Sequence, residues 1–114
     1  MYSLKNKVQL IGHLGAAPEV KTTDSDKKHA RFSIATNEVY RDAKGEKVTE
    51  TTWHNLVAWG KIAEIAEKYL TKGKEVAIEG KLISRSYTDK SGTKKYITEV
   101  QVNELLMLGT KEVV

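Results

Sequence analysis

With 114 residues and a net charge of +4, the chain has the length of one domain and can bury a core without covalent staples. The absence of cysteine excludes disulfides and thiolate metal sites, and no apolar run is long enough to cross a bilayer. Residues 1–7 (MYSLKNK) lack the apolar stretch of a signal peptide, so the sequence reads as a soluble cytoplasmic protein without a membrane partner.

The first expected strand spans residues 7–15 (KVQLIGHLG). Val8, Leu10, Gly12 and Leu14 alternate onto one face, and the glycines stand where a small barrel would bend. Pro18 marks a break, and residues 19–22 continue the strand beyond it. Residues 23–28 (TDSDKK) read as a loop. A second strand over 30–37 (ARFSIATN) turns Ala30, Phe32, Ile34 and Thr36 one way. Residues 40–47 (YRDAKGEK) form a hairpin tip, with Gly45 suited to a positive φ.

The central strand is 49–61 (TETTWHNLVAWGK). Alternation puts Trp53, Asn55, Val57 and Trp59 on one face and His54, Leu56 and Ala58 on the other. Both tryptophans of the chain therefore share a face. A helix follows over 61–70 (KIAEIAEKYL), with Ile62, Ile65, Ala66, Tyr69 and Leu70 as its apolar stripe and Gly73 as its expected C-terminal glycine. The fourth strand, 75–87, sends Val76, Ile78, Gly80 and Leu82 to one side and Lys81, Ile83, Arg85 and Tyr87 to the other. A loop at 89–93 (DKSGT), a fifth strand over 95–102 and a closing segment at 104–108 complete the order. Five strands with a helix between the third and fourth is the order of the OB-fold, an all-β, five-stranded Greek-key barrel, here one domain over 1–114.

Charge is unevenly spread. Residues 81–95 hold five bases against Asp89 alone. Of 19 bases and 15 acids in the chain, that leaves fourteen of each elsewhere. The excess suits a polyanionic partner. It equally suits a solvated hairpin whose lysines blunt a sheet edge.

Enzyme signatures fail. Three Gly-Lys pairs lack the frame of a phosphate loop, and His13, His29 and His54 lack metal-ligand spacing, so neither cofactor, metal nor catalytic residue is expected. Glu64 and Glu67 read as solvent charges paired with Lys61 and Lys68. The positive signal is aromatics interleaved with bases: Trp53 and Trp59, Tyr87 with Lys81 and Arg85, and Tyr40 beside Arg41. Such rings stack on any nucleobase. They could instead fill the barrel. Parity favours the surface, because Leu56 and Ala58, with Val76, Ile78 and Leu82, supply better core faces. Tyr69 and Tyr96 read as core or interface packing, and Tyr2 carries no signal.

Seven stretches in order, 6–15 (NKVQLIGHLG), 18–20 (PEV), 52–54 (TWH), 59–61 (WGK), 79–82 (EGKL), 87–92 (YTDKSG) and 98–102 (TEVQV), resemble the bacterial single-stranded DNA-binding protein (SSB) family, from about residue 6 to 109. The resemblance implies an OB-fold homotetramer that binds single-stranded DNA with little sequence preference in replication, repair and recombination. It implies stacking by Tyr40, Trp53, Trp59 and Tyr87. It implies phosphate contacts from Lys7, Lys21, Arg41, Lys61, Lys72 and Arg85, and a subunit contact at His54. Tyr40 and Tyr87 stand where tryptophan is frequent, and Asn55 where a base is common. The acidic C-terminal tail that recruits partners in the family is not present in these 114 residues. The rival readings are a primosomal OB-fold dimer and a protein-interaction scaffold module.

Overall fold

The computed structural model describes residues 4–109. Six strands and one helix follow in the order β1 (Val8–Leu14), β2 (Glu19–Thr22), β3 (Lys28–Arg41), β4 (Lys47–Trp59), α1 (Gly60–Tyr69), β5 (Glu75–Thr88) and β6 (Lys94–Met107). The sheet order is β1-β5-β6-β4-β3-β2, and a further β1–β3 pairing closes it. Five strands thus make the expected barrel. β2 resumes beyond Pro18 and borders the start of β3, while β1 borders its middle. Tyr2 lies outside the described residues.

The core follows from strand alternation. Ala30, Phe32 and Ile34 of β3, Leu56 and Ala58 of β4, Val76 and Ile78 of β5, and Val100 and Val102 of β6 meet Ala63, Ala66 and Leu70 from the helical segment. α1 closes one side of the barrel, mainly against β3. Its start is a tight corner at Gly60, φ +62°. Its end differs from expectation. The chain leaves the helix through extended Leu70, and Gly73 belongs to the next turn, donating its amide to the Leu14 carbonyl. Glu67 pairs with Lys28 at 2.7 Å rather than with Lys68, which ties the helix to β3. Tyr69 and Tyr96 are exposed, so neither is a core residue.

Two strand pairs outgrow the barrel. β3–β4 and β5–β6 continue past the core as two-stranded arms, and the Cα radius of gyration is 16.5 Å against about 13 Å for a compact chain of this length. The β5 arm begins at Gly80, where a Cβ would come within 2.0 Å of the Gln101 carbonyl. A bulge lies at the same point, with Asn103 the extra residue. It joins the two expected C-terminal segments into one bent strand. Leu82, expected in the core, falls just beyond this bend and is exposed. There the Asn6 side-chain amide brackets the Leu82 backbone, at 2.9 Å to its carbonyl and 2.8 Å from its amide.

Three hairpin loops share one geometry. Asp42, Asp89 and Thr23 each open a loop in which a backbone amide returns to their carbonyl, and the turning residue takes a positive φ. Glycine fills that position in two loops; in the third it is Asp26 at φ +64°. A Cβ there costs about 1 kcal/mol. Glycine forfeits about 0.5 kcal/mol of that through its looser unfolded chain. We therefore expect Asp26→Gly to raise stability by about 0.5 kcal/mol in urea denaturation. A loss would show that the loop needs the aspartate.

Candidate nucleic-acid interface

Register fixes which side chains share the outer face. Trp53 stands opposite Ala35, Asn55 opposite Ser33, Val57 opposite Arg31 and Trp59 opposite His29. β6 adds Gln101 beside Val57, and β5 adds Lys81 opposite Gln101 and Arg85 opposite Ile97. The outer face of β3–β4–β6–β5 is therefore continuous, and Trp53, Trp59 and Tyr87 lie on it at 58%, 43% and 45% exposure. The indoles are six residues apart on one strand, about 20 Å. Val57, between them, is buried despite its outward parity, because the longer Arg31 and Gln101 flank it.

Each indole has its own seat. A Cβ on Gly15 would stand 2.6 Å from the Trp53 ring, so the missing side chain is what lets the ring lie against the barrel. Trp59 leans on His29, with ring centroids 4.8 Å apart and planes at 44°. His29 is next to Lys21 on β2, so a base adjoins this aromatic pair. The His29 Nδ1 is buried without a hydrogen-bond partner among the described residues.

Between the indoles lies a cleft of about 320 Å³, lined by Arg31, Ser33, Asn55, Ile97 and Glu99 among others. Glu99 is 3% exposed. Its Oε1 accepts from Arg85 Nε at 3.0 Å, and its Oε2 accepts from Arg31 Nη1. Sequence reasoning missed Glu99, Arg31 and His29. Strand parity puts all three outside, but nothing in the sequence signals that an outward glutamate is buried under two arginines.

The other expected residues scatter. Tyr40 is exposed but stands opposite Val48, on the face of Ile34 and His54, so it is on the opposite side of the β3–β4 arm from the tryptophans. His54 is half-buried on that inner face, its Nε2 2.9 Å from Thr36 Oγ1. Lys7 pairs with Glu79 at 2.8 Å, and Arg41 donates to the Gly45 carbonyl at 2.8 Å. Lys61 sits in the first turn of α1, two residues after Trp59. Lys72 lies in the loop after the helix, by His13 and Tyr69. Lys21, Lys61 and Lys72 make no ion pair among the described residues.

At the β5–β6 tip the Asp89 carboxylate accepts from the Ser91 hydroxyl and from the Ser91 and Thr93 amides. In the basic segment Lys95 pairs with Asp89 at 3.7 Å, and Lys94 lies 5.6 Å from the Tyr96 ring centroid.

Exposed aromatics with bases around a barrel's outer face invite comparison with known proteins. The sequence profile of the single-strand binding protein family matches residues 5–108. The chain belongs to this family. It is 48% identical over 108 residues to single-stranded DNA-binding protein 1 of Chlorobaculum tepidum, covering 94% of this chain and 67% of the relative. The corresponding protein of Xylella fastidiosa is 42% identical over 108 residues, covering 94% and 79%. That of Neisseria meningitidis is 43% identical over 104 residues, covering 91% and 60%. Among solved structures, the Plasmodium falciparum SSB complex with ssDNA superposes with a TM-score of 0.83 at 35% identity, covering 96% of this chain and 99% of that one. The family's OB-fold is thus the fold of this chain.

Two outcomes test this geometry. Gly15→Ala pushes the Trp53 ring off its seat, so iodide quenching of tryptophan fluorescence should increase while the fold persists; unchanged quenching would mean the ring is not seated on Gly15. The Ser91 hydroxyl, followed by the Thr93 amide, holds the Asp89 carboxyl below its usual value. Its contribution to loop order is then complete above the ordinary carboxylate pKa of about 3.9 and lost as pH falls through the lower folded value. The Ser91 and Thr93 amide resonances should stay fixed from neutral pH to about 3.9 and move below it. A midpoint above that value would contradict the hydrogen bonds.

Proposed function

We propose that this protein binds single-stranded DNA, with little sequence preference, along the outer face of β3–β4–β6–β5. The observation that carries this reading is that both tryptophans of the chain are exposed on one face of β4, on either side of a cleft lined by Arg31 and by Glu99, which also binds Arg85. Unpaired bases stack on indole and phenol rings regardless of identity, at about 1–3 kcal/mol per base. Trp53, Trp59 and Tyr87 stack on bases from this face, and Tyr40 does so from the other side of the arm. Lys21, Lys61, Lys72 and Arg85 meet phosphates, with Lys7 and Arg41 at the periphery. Family membership and the likeness to an SSB bound to ssDNA support the reading.

The activity is binding rather than catalysis, protecting single strands in replication, repair and recombination, in the cytoplasm at the nucleoid. The assembly is a homotetramer with His54 at a subunit contact. Exposed Ile11 on β1 and Leu106 on β6 support self-association, since such side chains seek cover. No helix among the described residues is long and apolar enough to cross a membrane.

Adding oligo-dT should quench tryptophan fluorescence, and affinity should fall as salt rises. Trp53→Ala should weaken binding by about 1–3 kcal/mol with the circular dichroism spectrum unchanged. Failure to bind oligo-dT sinks the reading. A mass of two subunits would favour the primosomal dimer. An acidic protein that oligo-dT cannot displace would favour the scaffold module.

A further inference from the structure

We propose that Glu99 is a positioning residue of the DNA-binding face, holding Arg31 and Arg85 side by side so that one strand's phosphates meet both. The inference rests on the function proposed above and adds to it how the cations are arranged.

A carboxylate on the outer face of a strand is normally solvated. Glu99 is 3% exposed, on the floor of the cleft between the two indoles. Taking it out of water is costly, and an apolar residue of similar size would serve folding as well or better. Its surroundings indicate what it does instead. Arg31 comes from β3 and Arg85 from β5, with β4 and β6 between them in the sheet. Two guanidiniums brought near each other repel and, on long flexible stems, would splay apart. Glu99 gives one oxygen to each, Oε1 to Arg85 and Oε2 to Arg31.

The arginines nevertheless stay available. Their side chains are 36% and 44% exposed, whereas the carboxylate is covered. A guanidinium has five N–H donors in a planar fork. The bonds to Glu99 use Nη1 of Arg31 and Nε of Arg85, leaving the other donors of each for a phosphate. The trio is net +1, and its negative member lies beneath its positive ones. Glu19, exposed and opposite Arg31, also lines the cleft, so the arginines have to outweigh a surface carboxylate as well as the buried one.

The sign of one substitution separates this from a charge effect. Glu99→Gln removes a negative charge beneath a polyanion site. If charge alone matters, binding of oligo-dT tightens and its salt dependence steepens. If Glu99 positions the arginines, affinity falls about tenfold, as one lost charge-assisted hydrogen bond implies. The slope of log affinity against log salt also becomes shallower, by up to about 1.4 for two phosphates released. Glu99→Asp keeps the charge but shortens the reach, and should behave like Glu99→Gln. Each variant is first checked by circular dichroism at the binding temperature. A purely structural role lowers the melting temperature and leaves the salt slope of the folded protein unchanged, which would overturn the proposal. If Glu99→Gln does not fold, Glu99→Asp decides, since a wild-type slope in it overturns the proposal. Should that variant also fail to fold, Arg31→Gln decides, since it should make the slope shallower by about 0.7. An unchanged slope there also overturns the proposal. Wild-type protein that ignores oligo-dT defeats the function itself. Wild-type binding with a Glu99→Gln variant of equal or higher affinity defeats only this inference.

Discussion

The alternation of β4 inside a closed barrel is the constraint on which the rest depends. Leu56 and Ala58 are buried almost completely, so their neighbours along the strand have to turn outward. A slip of one residue would bury two indoles and an asparagine and expose Leu56, which the barrel cannot tolerate. The unbroken register from His29↔Trp59 to Arg41↔Lys47 holds the strand against such a slip. The tryptophans are outside because the leucine and alanine are inside. The outer face is a consequence of the core rather than an addition to it.

The two arms extend the same logic beyond the core. Past Ile83 in β5 and past Thr36 in β3 no side chain of either arm is buried, so both faces of each arm meet solvent there. The arms keep their shape through cross-strand pairing and through side chains that close their tips. Asp42 accepts from the Lys44 and Glu46 amides, and Asp89 plays the same part in the other loop. A hairpin arranged in this way offers surface at the cost of core. Such an arrangement suits a protein whose work is done on its outside.

This division explains what could be read from the sequence. Inside the barrel, alternation is rewarded by burial, so the strands, the helix over Gly60–Tyr69 and the outward tryptophans were legible. Where burial stops, parity still gives the face but no longer the environment. Leu82 has core parity and is exposed because a bulge and a bend intervene at Gly80. Val57 has surface parity and is buried because longer neighbours flank it. Tyr40 falls in a stretch that reads as a hairpin tip, where alternation assigns no face, whereas β3 continues to Arg41 and puts Tyr40 on the side of Ile34, away from Trp53. Gly73 and Glu67 misled for a similar reason. Their partners, Leu14 and Lys28, lie 59 and 39 residues away in the chain.

Formal charge is likewise a poor guide to the cations a phosphate would meet. Within the basic stretch Lys95 is paired with Asp89 and Arg85 with Glu99, and outside it Lys7 is paired with Glu79. The two kinds of base respond differently to such pairing. An ammonium is a compact point charge, so Lys7 must give up part of its hold on Glu79 to take a phosphate. A guanidinium presents a fork of donors and can hold a carboxylate and a phosphate together. Arg31 and Arg85 thus remain effective while tied down, and being tied down removes the entropy cost of ordering them on binding. On the proposed reading, the electrostatic part of recognition resides in a few oriented arginines beside the indoles and in the unpaired lysines at the edge of that face. Stacking supplies the remainder on a face that pairing has made less positive than its composition suggests.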